Sequence, residues 1–419
     1  MAESGLNFDD FFRVAFDGSE PFDYQRRLAL DQPLRSVINV PTGAGKTAAA
    51  LGAWLWRRLC KPTTVGRRLV YCLPMRTLVE QTDRVARRAI DKLSDGGLIP
   101  RNRFRVYVLM GGEVSDEWET YPERESMLIG TQDMFLSRAL NRGYAMSRFR
   151  WPVHFGLLNN DCLWVIDEVQ LMGSGLATTL QLQAFRRNFG AFGEARTIWM
   201  SATVEPEWLR TVDFESENDA LGRPLSLDPE KDIKSSPDLK ARWEANKPIE
   251  RAQARAGEDG KLVKEILNAH RPRSRTLVVV NTVRRARSLY DILQQQSPKA
   301  RCLLVHSRFR PADRRKIVER LIEEPPQEGV IVVSTQVVEA GVDVSAKVLF
   351  TELAPWPSLV QRFGRCNRRG KDNNEAKVFW IDVPTSGKIS LAPPYDEADL
   401  IQSRKMLEGL NPQNVGPKA

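Results

Sequence analysis

The chain has 419 residues, of which 42% are hydrophobic and 27% are charged, which is ordinary for a soluble globular protein of two or three domains. Apolar runs long enough to span a bilayer, an N-terminal secretory signal and CxxC pairs are all missing from the sequence, which argues against a membrane protein or a zinc or disulfide framework and favours the cytoplasm. The net charge of +9 fits either a protein that binds polyanions or a merely basic soluble protein.

Short aliphatic runs alternate with helical patterns through the first half of the chain. Runs of this kind are typical of strands buried on both faces of a parallel sheet, and the alternation predicts a doubly wound α/β domain over residues 1–212. The predicted strands are SVINV (36–40), RLVYCLP (68–74), FRVYVLM (104–110), SMLIG (126–130), CLWVID (162–167) and TIWMSAT (197–203).

The pattern stops at residues 213–262, which are charged and poor in aliphatic residues. We interpret this stretch as a linker with one helix. A second α/β domain is predicted at 263–385, and 386–419 is predicted to form a C-terminal helix and tail. The strands of the second domain are predicted at 276–281, 302–307, 329–334, 347–353 and 377–383.

A glycine-rich turn follows the first predicted strand and precedes a helix. Backbone N–H groups at such a turn can bind phosphates. Within it, Lys46 is expected to contact the β- and γ-phosphates of ATP, and Thr47 to bind Mg²⁺. The residues of this predicted phosphate loop are Thr42, Gly43, Ala44, Gly45, Lys46 and Thr47.

Two adjacent acids, Asp167 and Glu168, follow the strand CLWVID. A carboxylate at the end of a neighbouring strand is suited to hold the Mg²⁺ that accompanies ATP, and this role is predicted for Asp167. Glu168 is predicted to be the general base that activates the attacking water. The sequence WMSAT, with Ser201 and Thr203, ends another strand and is a weaker signal.

An arginine-rich segment, SLVQRFGRCNRRG (358–370), lies in the second half. A plain basic surface is one explanation for it. The other is that Gln361, Arg365 and Arg368 act on a nucleotide, with the arginines stabilising charge on the γ-phosphate. Gly341 and Asp343 follow a strand and are expected to face the cleft in which this nucleotide would bind.

These motifs, in this order and spacing, resemble those of the superfamily 2 helicases. The resemblance covers roughly residues 20–385 and implies two tandem RecA-like domains with parallel sheets and an ATP cleft between them. Within that superfamily, DEVQLMG, VVEAGVDVS and RCNRRG look most like the helicase of type I CRISPR systems, which the Cascade surveillance complex recruits to unwind and degrade target DNA.

The resemblance also implies roles for residues that could otherwise be ordinary loop or capping residues. Gln25 occupies the position at which the family recognises adenine. Gln170 stands where the family usually has histidine or aspartate; it is expected to couple hydrolysis to strand binding through Ser201 and Thr203. The implied contacts with nucleic acid are Arg76, Thr77, Thr131, Asp133, Asn281, Thr282, Ser307, Arg308 and Thr335.

The nuclease that usually accompanies this family needs a His-Asp pair, whereas the three histidines here (His154, His270 and His306) precede Phe, Arg and Ser. We therefore expect an HD nuclease either on a separate subunit or in a C-terminal domain beyond Ala419, with the second favoured. The hypothesis is an ATP- and Mg²⁺-dependent 3′→5′ translocase on single-stranded DNA. An RNA helicase and a nucleotide-gated binding module remain as alternatives.

Overall fold

The computed structural model describes residues 6–111, 117–143, 146–202, 204–214, 224–296, 298–339, 343–385, 391–411 and 413–418. The chain divides into two compact units, Met1–Ser236 and Pro237–Ala419. Each unit has its own sheet, and every strand pairing within those sheets is parallel. The predicted α/β fold class is therefore confirmed.

The first unit is a sheet with helices packed against it. Its strands are β1 (Val37–Asn39), β2 (Arg68–Leu73), β3 (Phe104–Leu109), β4 (Glu125–Thr131), β5 (Cys162–Asp167), β6 (Ala195–Ser201) and β7 (Leu225–Ser226). Its helices are α1 (Phe8–Ala15), α2 (Asp23–Leu30), α3 (Lys46–Cys60), α4 (Arg76–Asp95), α5 (Glu117–Thr120), α6 (Gln132–Ala139), α7 (Trp151–Asn159) and α8 (Ser174–Phe189).

The strand order in the first sheet is β3-β4-β2-β5-β6-β1-β7. Every residue of β2 and β5 is buried, which is why these strands are nearly continuous apolar runs rather than alternating ones. Each fully buried leucine or valine contributes about 1.5–3 kcal/mol relative to an exposed one. The centre of this sheet is therefore a rigid support for the loops that follow its strands.

The second unit repeats this construction. Its strands are β8 (Ile249–Arg251), β9 (Arg275–Val279), β10 (Arg301–Val305), β11 (Val330–Ser334), β12 (Val348–Glu352) and β13 (Lys377–Ile381), in the order β10-β11-β9-β12-β13-β8. Its helices are α9 (Pro237–Trp243), α10 (Asp259–Ala269), α11 (Val283–Gln295), α12 (Pro311–Ile322), α13 (Trp356–Phe363) and α14 (Glu397–Glu408).

The stretch 213–262 differs from the linker that the sequence suggested. In the structure β7 pairs with β1 of the first sheet, and β8 pairs with β13 of the second. The described residues of this stretch contain α9, the start of α10 and a short π-helix at Pro229–Ile233, where one helix was expected. The two strands escaped prediction because they are only two and three residues long and lack an aliphatic run.

The carboxyl ends of the central strands of the first unit meet at one edge of its sheet, because the strands are parallel. This edge carries the loop after β1 and the residues that follow β2, β4, β5 and β6. Apart from Gln25 in α2, the predicted site residues of the first unit whose positions the structure describes lie at or just beyond these strand ends. In open parallel sheets this is the edge where ligands bind.

Candidate nucleotide site

The predicted phosphate loop connects β1 to α3. Gly43 and Gly45 have φ angles of 88° and 80°, in the left-handed region that glycine adopts without strain. A Cβ on Gly45 would also lie 2.9 Å from Nε2 of Gln25. Helix α3 begins at Lys46, whose buried ammonium group donates to the carbonyl oxygen of Val40 at 2.9 Å. Thr42 and Ala44 complete the loop, and Thr47 lies in the first turn of the helix.

Two adjacent side chains of helix α2 form hydrogen bonds with the phosphate loop. Gln25 donates from Nε2 to the carbonyl oxygen of Gly45 at 3.1 Å, and its Oε1 accepts from the N–H of Phe22 at 2.8 Å. The hydroxyl of Tyr24 donates to the carbonyl oxygen of Ala44 at 2.6 Å. The predicted adenine-binding glutamine therefore touches the phosphate loop directly, and Tyr24 is a contact that the sequence analysis missed.

A carboxylate from the stretch after β7 supports this helix in turn. Asp232 is almost completely buried and accepts from the backbone N–H of Tyr24 at 2.8 Å and from the guanidinium of Arg27 at 2.9 Å. β7 lies beside β1, the strand that leads into the phosphate loop. The charged stretch therefore contributes structurally to the candidate site, which its composition alone did not indicate.

The predicted acid pair lies at the end of β5. Burial, and then the neighbouring charge of Glu168, raise the pKa of Asp167 to about 6, and the positive charge of Lys46 opposes this shift. The Asp167 carboxylate accepts two hydrogen bonds, at Oδ1 from the N–H of Glu168 at 2.9 Å and at Oδ2 from the hydroxyl of Tyr71 at 2.8 Å. Glu168 itself has a φ of 53°, a strained conformation of the kind that occurs at functional sites.

Gln170 joins the acid pair to β6. Its amide Nε2 donates to Oε2 of Glu168 at 2.6 Å, and its Oε1 accepts from the hydroxyl of Ser201. An amide can donate and accept at the same time, which a neutral histidine also does and a carboxylate does not. Gln170 thus occupies the position between the acids and Ser201 on which its predicted coupling role depends. Thr203, the other predicted coupling residue, lies outside the described residues.

The predicted Mg²⁺ ligands fit a magnesium ion bound together with ATP. Asp167 accepts from the hydroxyl of Tyr71, and Thr47 also lies near this hydroxyl, so the two side chains lie close to each other. Mg²⁺ commonly binds one or two carboxylates along with substrate phosphates, and it retains several waters. A single carboxylate and a hydroxyl beside a phosphate loop match that requirement.

The predicted nucleic-acid contacts of the first unit lie after β2 and β4, at the edge of the sheet that also carries the phosphate loop after β1. Arg76 and Thr77 begin α4 just after β2, Thr131 is the last residue of the adjacent β4, and Asp133 is in the first turn of α6. Arg76 and Asp133 are exposed, whereas Thr131 is buried. The sheet order thus separates this group from the phosphate loop by β5 and β6.

In the second unit, the arginines of the motif around α13 have different environments. Arg362 is completely buried and donates to Glu339, Thr351 and Asn281. Arg365 is also buried and donates to the carbonyl oxygen of Glu339 at 2.6 Å. The plain basic surface is therefore an incomplete explanation of the segment, because at least these two arginines are interior.

Arg368 and Asp343, which were both predicted to face a nucleotide, form an ion pair with 2.9 Å between Nε and Oδ1. The carboxylate of Asp343 is half exposed, and the side chain of Arg368 is mostly covered. Gln361 is buried in α13. Gly341 lies outside the described residues.

Asn281 differs most from its predicted role. Its side chain donates to the carbonyl oxygen of Leu353 at 2.8 Å and accepts from Arg362 at 3.0 Å, and its N–H donates to Glu352 at 2.7 Å. The amide of this buried residue therefore holds the second unit together instead of facing outward for nucleic acid. Its neighbour Thr282 caps α11 by accepting from the N–H of Arg285.

The other predicted nucleic-acid contacts of the second unit follow β10 and β11. Ser307 and Arg308 are exposed just beyond β10. Thr335 is buried directly after β11, and its N–H donates to the carbonyl oxygen of Val305. Only the first two have side chains that are open to a ligand in this arrangement, so a contact from Thr335 requires its backbone or a local movement.

Two family models match the chain, one in each unit. The description DEAD/DEAH box helicase belongs to the model that matches residues 27–212, and CRISPR-associated nuclease/helicase Cas3, C-terminal, to the one that matches residues 272–371. The CRISPR-associated nuclease/helicase Cas3 of Methanothermobacter thermautotrophicus is 24% identical over 408 residues, which are 93% of this chain and 45% of that protein. The chain is thus similar to the helicase part of Cas3 proteins, with a DEAD/DEAH box match in its first unit and a Cas3 match in its second.

Another relative and a solved structure show the same similarity. The CRISPR-associated helicase Cas3 of Thermoproteus tenax is 33% identical over 138 residues, which are 32% of this chain and 22% of that protein. The crystal structure of T. fusca Cas3 with AMPPNP has a TM-score of 0.67 and 19% identity, covering 97% of this chain and 51% of that one. The predicted RecA-like fold is confirmed by this match. The chain spans about half or less of the Cas3 proteins that it matches.

A protein whose structure was solved with RNA shares the fold as well. The S. cerevisiae protein Dbp5 bound to RNA and ADP BeF3 has a TM-score of 0.61 and 16% identity, covering 97% of this chain and 92% of that one. Such low identity concerns the fold alone, so the choice between DNA and RNA rests on other grounds. Within the part of the chain that the structure describes, no helix is long and apolar enough to cross a membrane.

Proposed function

We propose that this Cas3-like module is an ATP-driven motor that moves 3′→5′ on single-stranded DNA and unwinds duplex DNA during type I CRISPR defence. The observation that carries the proposal is the chain of hydrogen bonds from Glu168 through Gln170 to Ser201, beside the phosphate loop. A protein that only binds nucleotide has no need of a positioned base or of a connection from that base to another strand.

In the proposed reaction the backbone N–H groups of the phosphate loop and the ammonium group of Lys46 bind the phosphates of ATP. Thr47 and Asp167 would hold Mg²⁺, which supplies charge neutralisation at the β- and γ-phosphates. Glu168 accepts a proton from the attacking water. Gln170 keeps the Glu168 carboxylate oriented and makes its position depend on β6 through Ser201.

Arg365 and Arg368 are proposed to stabilise the charge that develops on the γ-phosphate, assisted by Gln361. The interior position of Arg365 suits this role because a guanidinium away from bulk water interacts more strongly with a phosphate. Arg368 would have to leave Asp343 or share it, so Asp343 is proposed to hold the arginine until nucleotide binds. Gly341 stays a predicted member of this group.

Single-stranded DNA is proposed to contact Arg76, Thr77, Asp133, Ser307 and Arg308, which follow strand ends in the two units. The excess of positive charge on the whole chain favours a polyanionic ligand of this kind. The Cascade surveillance complex and an HD nuclease, as a domain or a subunit, are the proposed protein partners.

A strand-displacement assay tests both unwinding and polarity. Duplexes with either a 3′ or a 5′ single-stranded tail are incubated with ATP and Mg²⁺, and the released strand is measured. Release from the 3′-tailed substrate alone is expected, and the Lys46→Ala variant should release neither. Equal release from both substrates, or preference for the 5′ tail, would remove the proposed polarity. The absence of release despite ATP hydrolysis would favour a nucleotide-gated binding module.

The predicted lack of a nuclease in this chain is tested separately. Circular single-stranded DNA is incubated with the protein and with Mg²⁺, Mn²⁺, Co²⁺ or Ni²⁺, with and without ATP. The circle is expected to stay intact. Metal-dependent nicking that disappears when an acidic residue of this chain is replaced would show that the nuclease site is present after all.

A further inference from the structure

Tyr71 is a polar residue at the centre of an apolar strand. It lies in β2 between Val70 and Cys72, pairs with β4 on one side and β5 on the other, and is completely buried. A buried phenol is costly unless its hydroxyl has a hydrogen-bond partner. Phenylalanine would fill nearly the same volume, so the hydroxyl is the property of this residue that needs an explanation.

The hydroxyl of Tyr71 contacts one of the two side chains that are expected to bind Mg²⁺ and lies near the other. It donates to Oδ2 of Asp167 at 2.8 Å, and the side chain of Thr47 lies nearby. The other carboxylate oxygen, Oδ1, accepts from the N–H of Glu168 at 2.9 Å. The Asp167 carboxylate is therefore held at both oxygens, which prevents rotation about its Cβ–Cγ bond.

We propose that Tyr71 is a positioning residue that holds Asp167 in the geometry needed to bind the Mg²⁺ of the Mg–ATP complex. The inference rests on the nucleotide site described under the proposed function and adds a residue to it. Each carboxylate oxygen has two lone pairs, so one on each stays available for the metal.

Residues that hydrogen-bond to a metal ligand commonly affect how tightly the protein binds the metal. Replacing a residue that orients a metal ligand typically weakens metal binding by about 10–100-fold. A tyrosine that only fills the core would have a different signature, because its loss would lower the stability of the sheet without changing the dependence on Mg²⁺. The two roles are therefore distinguishable by experiment.

The test uses the Tyr71→Phe variant and a fluorescent ATP analogue. The affinity for the analogue is measured first in EDTA and then over a series of Mg²⁺ concentrations, and Mn²⁺ binding is measured independently by electron paramagnetic resonance. In Tyr71→Phe, the Mg²⁺ concentration that gives half of the maximal effect is expected to rise about tenfold or more. The affinity in EDTA should stay near that of the wild type.

Two further variants serve as references. Tyr107→Phe removes a buried hydroxyl from β3, the outermost strand of the same sheet, and should keep the Mg²⁺ dependence of the wild type. Asp167→Ala should lose most of that dependence. The ratio of affinities with and without Mg²⁺ is independent of the folded fraction, so it remains informative if Tyr71→Phe is less stable.

A wild-type Mg²⁺ dependence in Tyr71→Phe, together with a loss in Asp167→Ala, would overturn this inference and leave the proposed function intact. If the wild-type protein bound the analogue without any response to Mg²⁺, the nucleotide site of the proposed function would itself be refuted. An equal rise in the Mg²⁺ requirement of Tyr107→Phe would assign the effect to the sheet in general and would also overturn the inference.

Discussion

Gln170 is the residue whose replacement should show most clearly how far hydrolysis depends on the hydrogen bond to Glu168. Its Nε2 lies 2.6 Å from the Glu168 carboxylate, and a hydrogen bond to a charged group contributes about 1.5–3 kcal/mol. One factor of ten in rate corresponds to about 1.4 kcal/mol. Gln170→Ala should therefore lower kcat for ATP by ~10–100-fold, with little change in KM because the phosphate loop is untouched.

Ser201→Ala removes only the hydrogen bond between Ser201 and Gln170 and leaves the one between Gln170 and Glu168. Gln170 keeps its contact with Glu168 but loses the partner of its Oε1, so a smaller loss of about 0.5–1.5 kcal/mol is expected, which is roughly 2–10-fold in kcat. The double variant should be no worse than Gln170→Ala, because Ser201 acts through Gln170. Steady-state ATPase rates of the four proteins complete the double-mutant cycle.

A second glutamine–hydroxyl pair on β6 provides the control. The hydroxyl of Thr197 donates to Oε1 of Gln183 at 2.7 Å near the opposite end of that strand. Gln183→Ala should leave kcat near the wild-type value. The reasoning is refuted if Gln170→Ala hydrolyses ATP normally, or if the losses in the Gln170 and Ser201 variants simply add within about 0.5 kcal/mol.

Three other outcomes are expected. Lys46→Ala and Asp167→Ala should each lower the ATPase rate by at least ~100-fold, measured by phosphate release, through loss of a phosphate or Mg²⁺ contact. Arg365→Ala and Arg368→Ala should lose ~10³-fold in kcat while nucleotide affinity, measured by fluorescence, changes far less; normal turnover in both would leave them structural. Burial lowers the pKa of Lys247 from 10.5 to about 8. Because the unfolded chain binds this proton more tightly than the folded chain does, the free energy of unfolding should rise by roughly 2–3 kcal/mol as the pH increases from about 8 to about 10.5. Urea titrations should show that Lys247→Met lacks this increment; an equal rise in the variant would assign it to other groups.

The main strands and the phosphate loop could be predicted because their signals are local. β2 and β5 are aliphatic runs, and Gly43 and Gly45 adopt the left-handed conformation that the loop requires. The acid pair and its neighbour Gln170 could then be predicted because the motifs follow the order found in superfamily 2 helicases. By contrast, β7 and β8 are strands because they pair with β1 and β13, which are distant in the sequence, and no local sequence pattern indicates such pairing.

Roles that depend on tertiary partners could not be predicted from a single sequence. Tyr71 looks like an ordinary core residue until the end of β5 brings Asp167 to its hydroxyl. Arg362 looks like one more surface arginine, but Glu339 neutralises it inside the second unit, and the same network takes up the Asn281 amide. A buried charge is stable only with such partners, and the partners come from segments far apart in the chain.

The most direct test of the proposed function is the ATPase rate of the purified chain with single-stranded DNA, with single-stranded RNA and without nucleic acid. A DNA motor should hydrolyse ATP several-fold faster with DNA than with RNA or alone, and Lys46→Ala should remove the stimulation. Stimulation by RNA and not by DNA would establish an RNA-dependent enzyme instead. Hydrolysis that neither nucleic acid changes would contradict the coupling assigned to Glu168, Gln170 and Ser201.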